Sequence, residues 1–293
     1  MSAALSSLVT TDLGYPEGPV AFPDGSLIVT ELARSRGCVT RVATDGSHRR
    51  LAVTGRPNGL AYSRDDTLWV AESLDPALLR LSLDGKVDWI ADRIAGEPLL
   101  WPNDLCFGPD GAIYLTDSGA LVTDFMDGDV PRQGWEAVPL DGKVFRLDRA
   151  SGEGAVLDRG LSFANGIAFG PDRMLYVTET MSGNVYRYRP GPPWRRELFG
   201  NVLDPDWQGS GFRGPDGMAF DSTGRLYIAV FGQGDVTTLD RDGHVARRHD
   251  LRGSAPTNCA FATDGTASLF VVEDEHGAIE RLELGVGGLE LWS

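Results

Sequence analysis

The chain is poor in cysteine, in histidine and in positive charge, and it has no long apolar run. Three cysteines in 293 residues, Cys38, Cys106 and Cys259, are too few and too widely spaced for a disulfide framework. Cys106 and Cys259 fall inside apolar phrases where a small core residue is expected, and all three read as reduced core thiols. Four histidines form no cluster that could compete for zinc; His48, His244 and His249 fall on outer turns and strands. With 27 Lys and Arg against 42 Asp and Glu, the formal charge is −15. That balance argues against nucleic acid or an anionic membrane as partner and tolerates cations. No stretch of about 18 apolar residues is present, and residues 1–7 lack the basic and apolar regions of a signal peptide. A soluble, cytoplasmic protein is expected.

What is abundant is glycine, 37 residues, and a recurring phrase. It opens on an oxygen-bearing residue and runs into an apolar strand: Glu17 to Phe22, Asn58 to Tyr62, Asn103 to Phe107, Asn165 to Phe169, Asp216 to Phe220 and Thr257 to Phe261. Each phrase is followed by a Pro/Asp/Gly-type turn and a second apolar run, as in Thr67 to Ala71 or Met174 to Thr178, which makes a hairpin. A second alternating pair follows in every unit. About four strands per unit of roughly 40 to 50 residues mark a propeller blade. The fold expected is therefore all-β: one domain over 1–293, a six-bladed β-propeller with four antiparallel strands per blade and a central channel. Repeat units begin near 17, 58, 103, 165, 216 and 257; a β-sandwich is the competing architecture. Gly119 to Val138 and Leu203 to Gly214 read as inserted loops. Either Leu5 to Leu13 or Gly288 to Trp292 supplies the strand that closes the ring.

If each phrase is an innermost strand, its first residue lies where the chain enters the channel, and the six openings converge at one mouth. The next strand returns to the same face and ends on Glu31, Glu72, Asp117, Glu179 or Glu273, a second acidic ring expected mostly to stand behind the first or to form a solvated rim. Asn-Gly and Asp-Gly are also ordinary turn formers, so Asn58 alone reads as turn chemistry or pocket lining. Glu17 and Asp216 with Asn103 and Asn165 are a different matter. Two carboxylates and two amide oxygens suit one hard divalent cation, Ca²⁺ first, with Zn²⁺, Mn²⁺, Mg²⁺ and Fe²⁺ left open. Glu17 stands one residue farther from its aromatic than the other openings do, which leaves its depth in the channel unsettled.

Pro16-Glu17-Gly18-Pro19, Pro102-Asn103-Asp104, Asn165-Gly166 and Pro215-Asp216-Gly217 together resemble the SMP-30/gluconolactonase/luciferin-regenerating enzyme (LRE) family over nearly the full length. The resemblance implies a six-bladed propeller with one divalent metal in the channel, held by Glu17, Asn165 and Asp216, with Asn103 as a ligand or a substrate contact. It also implies hydrolysis of a lactone, sugar-derived or more hydrophobic, with water as cosubstrate and no organic cofactor. A cation polarises a lactone carbonyl and activates water; Asp216 is the favoured general base, the rival reading being that it is only a ligand and that Asp104 or a rim carboxylate takes the proton. Two charged sugar contacts of the animal members are absent: Trp101 stands where they place an arginine, and an acidic position is replaced around Leu121. Phe125, Met126 and Trp135 on one inserted loop and Trp207 and Phe212 on the other offer an aromatic wall. Trp101, Asn58, Asn103, Phe125, Trp207 and His276 are the candidate substrate contacts. A phosphotriester hydrolase, for which His276 and the apolar loops speak, and a non-catalytic metal-binding propeller are the alternatives. A monomer or small homo-oligomer is expected.

Overall fold

A computed structural model describes residues 6–292. Each phrase forms the innermost strand of a four-stranded antiparallel sheet whose strands follow outward in chain order, except that the outermost strand of the sixth comes from the N-terminal segment. Blade 1 runs Pro16–Ala21, Leu27–Glu31, Cys38–Val42 and His48–Val53. The innermost strands of the next four blades are Pro57–Ser63, Pro102–Phe107, Ala164–Phe169 and Gly214–Phe220, and that of the sixth is Pro256–Phe261. Each packs on its neighbour, and the sixth packs on the first, so the ring is closed.

The second strands are buried on both faces, as in Leu27–Glu31 and Ile113–Asp117, because each sheet is sandwiched between two others; their near-continuous apolar runs follow from that. The outermost strands, such as His48–Val53 and Val245–Asp250, are largely exposed. They carry the polar residues the ring shows to solvent. Among the described residues, no helix is long and apolar enough to cross a membrane. The three cysteines are free thiols; Cys38 and Cys259 are buried and Cys106 is partly so.

Ring closure falls to the N-terminus. Ser7–Thr10 pairs with Ala278–Glu283 as the fourth strand of blade 6; Leu5, at the start of the expected strand, lies outside the described residues. The C-terminal segment does something else. Gly288 bridges Asp221, Leu289 N donates to Phe220 O, and Trp292 packs against the cores between blades 2 and 3 and between blades 3 and 4, with Arg173 over its ring. It runs across the hairpin end of the ring.

The displaced aromatic of blade 1 has a simple origin. Phe22 N donates to Ser26 O across the hairpin turn just as Gly108 N does to Ala112 O and Gly170 N to Met174 O. Phe22 therefore occupies the turn position of Gly108, and Ala21 the place of the usual aromatic. Pro16 pairs Glu31 as Pro57 pairs Glu72 and Pro102 pairs Asp117. Glu17 thus enters the channel at the same rung as Asn58 and Asn103.

Candidate active site at the channel mouth

In each blade a bulge follows the first or second rung of the innermost pair, which re-aims the chain at the opening residue relative to the strand below it. Threonines of the second strands then fix the next blade's opening backbone: Thr30 Oγ1 donates to Asn58 O at 2.7 Å, Thr116 Oγ1 to Asn165 O, and Thr178 Oγ1 to Asp216 O at 3.0 Å. The side chains are oriented from behind as well. Asn103 Nδ2 donates to Ser118 Oγ at 3.0 Å and Asn165 Nδ2 to Thr180 Oγ1 at 3.1 Å. Their Oδ1 atoms, with Asn58 Oδ1, are buried and have no hydrogen-bond partner among the described residues. Buried acceptors are almost always paired, so three unpartnered amide oxygens at one mouth mark a place prepared for a donor or a cation.

The carboxylates gather at the same place. Glu17 is 4% exposed; its Oε2 accepts from Gly18 N and from Asn258 Nδ2 at 3.0 Å. Burial, then the charge of Asp104, pushes its pKa up to about 8. Asp104, one residue below Asn103, is pushed by burial up to about 7. Asp216 is raised well above the carboxylate range by burial and then by Glu17, Asp274 and Asp104. It is only partly buried, and so is the carboxylate that solvent reaches when Glu17 and Asp104 are covered. Carboxylates that raise one another in a buried mouth suit a bound divalent cation, which would favour their ionised forms.

The glycines of the Asn-Gly and Asp-Gly pairs are not turn residues. Gly59 and Gly217 have no positive φ. A Cβ on Gly59 would lie 2.4 Å from Asp104 Oδ1, and one on Gly217 1.9 Å from Asn258 Cγ. Below the ring of openings, the side chains of Asp104 and Asn258 fill the room that these glycines leave.

The outer acidic ring departs from expectation. Glu31, Glu72, Asp117, Glu179 and Glu273 are all buried, at 6% exposure or less. Each accepts backbone N–H groups of the chain entering its blade: Gly14 to Glu31, Arg56 to Glu72, Leu100 and Trp101 to Asp117, Ser162 to Glu179, Ala255 to Glu273. The entering chain has no ladder partner for these donors, and the carboxylates supply one. They are latches rather than a solvated rim.

His276 lies on this rim, exposed, with Nδ1 3.2 Å from Glu273 Oε2. Ligand atoms of Glu273, Glu275 and His276 come within 4.8 Å of one another, but these carboxylates already receive the N–H groups of Ala255, Glu275, His276 and Ser254. The grouping is a capped turn.

The inserted segment 119–138 is less irregular than expected, with a short helix Val122–Phe125, a ribbon of Met126–Asp127 with Val130–Pro131, and a 3₁₀ turn Trp135–Ala137. It meets the loop of 203–214 at Phe212. Trp101, Phe125, Trp135, Phe163, Phe212 and Phe231 form one aromatic network with centroid spacings of 5.0 to 6.4 Å. Trp101 and Phe125 are buried within it. Trp207 stands apart, under the Arg213 guanidinium at 4.4 Å. A cavity of about 360 Å³ opens beside the network, lined by Leu32, Arg34, Arg56, Leu74, Met126 and Arg132 among others. A larger concavity of about 590 Å³, around Asp221 and Arg241, lies at the hairpin end, remote from this chemistry.

Sequence reasoning missed Asn258, Asp274 and Arg56. Asn258 adjoins Thr257 in the sixth phrase, and the recurring Thr-Glu and Thr-Asp pairs at 30–31, 116–117 and 178–179 were an available sign of the latches.

The ring has a counterpart in known proteins. A profile of the SMP-30/Gluconolactonase/LRE-like region matches residues 15–273. The chain belongs to this family. It is 29% identical over 287 residues to a gluconolactonase of Zymomonas mobilis, covering 90% of this chain and 77% of that one. It is 28% identical over 272 residues to the pentonolactonase XacC of Haloferax volcanii, covering 91% and 84%. Among solved structures, a gluconolactonase from Xanthomonas campestris superposes with a TM-score of 0.76 at 25% identity, covering 96% and 89%. Family membership gives the four openings Glu17, Asn103, Asn165 and Asp216 a shared frame in which to be read.

Proposed function

We propose that the protein hydrolyses the ester bond of a lactone ring, with one divalent cation held by Glu17, Asn165 and Asp216 and with Asn103 as a fourth oxygen. The unpartnered Oδ1 atoms of Asn103 and Asn165 beside the two carboxylates carry this reading. They fit a hard cation that accepts oxygen donors, Ca²⁺ above all. When bound, such an ion supplies Lewis-acid polarisation of the lactone carbonyl and stabilisation of the developing oxyanion. The lactonase names of the relatives agree with this chemistry.

The chain's own residues do the rest. Asp216, a partly exposed carboxylate of the mouth, takes the proton of the attacking water as the water oxygen bonds to the carbonyl carbon. It returns that proton to the ring oxygen as the carbon–oxygen bond breaks, leaving a hydroxy acid. Asp104 is held in reserve for this role: it is less exposed, its Oδ1 already accepts from Leu105 N at 2.9 Å, and it serves Glu17 as a neighbouring charge. The aromatic network gives the lactone an apolar face to lie on and keeps water from one side of the mouth.

The test is a panel of aldonolactones and aromatic lactones assayed by acid release, with and without chelator. Turnover lost on chelation and restored by Ca²⁺, and reduced at least a hundredfold by Asp216→Asn, is expected. Activity indifferent to both overturns the mechanism. Rapid phosphotriester turnover with inert lactones overturns the substrate class.

A further inference from the structure

The mouth has two unlike halves. Blades 3 to 5 contribute Trp101, Phe163, Phe212 and Phe231 to the aromatic network, while blades 6, 1 and 2 contribute Asp274, Glu17, Arg56 and Asn58. Three atoms of that polar half have no assigned work: Asn58 Oδ1, Asp274 Oδ1 and Arg56 Nε are buried without a partner among the described residues.

Register places Asp274 where it can act. Glu273 pairs Pro256 as Asp117 pairs Pro102 and Glu179 pairs Ala164. The residues that follow are therefore equivalent: Ser118, Thr180 and Asp274. Ser118 and Thr180 reach inward to Asn103 and Asn165, but the opening residue beside Asp274, Thr257, donates instead to Pro16 O at 2.7 Å. The Asp274 carboxylate is left facing the mouth with one oxygen free. Burial, and then the charges of Glu17 and Glu273, holds its carboxyl well above the ordinary carboxylate range, while Arg56 acts against that shift.

Arg56 is set from the other side of blade 1. Its backbone N–H is latched to Glu72 Oε1 at 2.6 Å, and its Nη1 is held by Asp129 Oδ1 at 3.2 Å and Gly128 O at 3.3 Å, both from the inserted segment. One edge of the guanidinium is thus anchored, and the residue lines the 360 Å³ cavity.

We infer that Asp274 and Arg56 form a hydroxyl-binding subsite that selects polyhydroxylated, sugar-type lactones. A hydroxyl group donates to a carboxylate and accepts from a guanidinium at once, which neither group achieves with an aliphatic lactone. The aromatic half then receives the apolar face of the same ring. The pair replaces, from blades 6 and 2, the charged contacts whose absence at Trp101 and Leu121 left the substrate open. This rests on the lactonase reading.

The experiment compares D-glucono-δ-lactone with unsubstituted δ-valerolactone in the wild type, Asp274→Ala, Asp274→Asn and Arg56→Met. Losing a hydrogen bond between a charged group and a substrate hydroxyl costs about tenfold to a hundredfold. The ratio of kcat/KM for the sugar lactone to that for δ-valerolactone is expected to fall by at least about tenfold in Asp274→Ala and in Arg56→Met, through KM, with partial recovery in Asp274→Asn. A ratio unchanged in the variants overturns the inference, whether both activities persist or both collapse. If the wild type hydrolyses no lactone, the lactonase reading fails separately; calorimetric binding of gluconate, weakened by Asp274→Ala or indifferent to it, still decides the subsite.

Discussion

Thr180 accepts the side-chain amide of Asn165 at 3.1 Å while donating its own hydroxyl proton to Pro215 O at 2.9 Å. One hydroxyl thus fixes the tautomer-like choice of which end of Asn165 faces the mouth, and ties that choice to the backbone beside Asp216. Removing it frees the amide to rotate and present nitrogen instead of oxygen. Partners of this kind typically carry 10- to 100-fold in metal affinity. Thr180→Val is expected to weaken Ca²⁺ binding by about tenfold or more with the melting temperature nearly kept, as read by calorimetric titration. Unchanged affinity would show that Asn165 is not a ligand.

The mouth carboxyls make the pH behaviour of the chelated protein unusual. Glu17 is pushed up to about 8, first by burial and then by Asp104, and Asp104 to about 7 by burial. Both ordinary values lie near 4. Between about pH 4 and pH 8 the folded chain therefore holds protons that the unfolded chain has released, and stability falls as pH rises through that window. The melting temperature in excess chelator is expected to be lower at about pH 8 than at about pH 5.5. Added Ca²⁺ should stabilise more at the higher pH, because it replaces those protons. A chelated protein whose stability rises across this window contradicts the burial of these groups.

Much of this arrangement was legible in the chain because an innermost strand must repeat its contacts six times, and the repeated phrase exposes them. Glu17, Asn103, Asn165 and Asp216 stood at corresponding places for that reason. The burial of Glu31 or Asp117 was not legible, since a strand-end acid looks solvated until the unpaired N–H groups of the chain passing over it are known. Asp274 was hidden similarly: only register equates it with Ser118 and Thr180. The glycines at 59 and 217 misled, because a sequence does not distinguish a turn from a place where a neighbouring blade's side chain takes the space of a Cβ.

Asp117 gives the latch its sharpest test. Its Oδ2 accepts from Leu100 N at 2.7 Å and Trp101 N at 3.0 Å, and its Oδ1 from Gly119 N at 2.9 Å. Asp117→Ala leaves three donors without an acceptor in a buried site, each costing about 1–3 kcal/mol if unrelieved. A loss of about 3 kcal/mol or more in urea unfolding is expected, with Asp117→Asn intermediate. A loss below about 1 kcal/mol would mean that water reaches these donors and that the rim is solvated after all.

Closure by Ser7–Thr10 predicts an asymmetry between the two termini. Without that strand, Ala278–Glu283 becomes an open edge, which both weakens blade 6 and invites pairing with other chains. A variant beginning at Thr11 is expected to melt about 5 °C or more below the parent and to aggregate in a concentration-dependent way. One ending at Gly285 keeps every blade four-stranded and should lose stability through Trp292 packing without gaining an edge. Equal aggregation of the two would place closure elsewhere.

Phe212 is the contact through which the two inserted segments meet. Its ring centroid lies 5.4 Å from Trp135 and 6.4 Å from Phe125 on one segment, and 5.7 Å from Phe231 of blade 5. Because Phe212 is only partly buried, truncation should cost less than the roughly 3–5 kcal/mol of a core phenylalanine. Its effect is expected instead on the mouth: Phe212→Ala lets the segment of Trp135 move outward, shifting tryptophan emission to the red. If these aromatics form the face on which a lactone ring lies, KM rises about tenfold while kcat changes little, since none of these rings handles the proton. A fall in kcat at constant KM would mean instead that the aromatic half positions the reacting groups themselves.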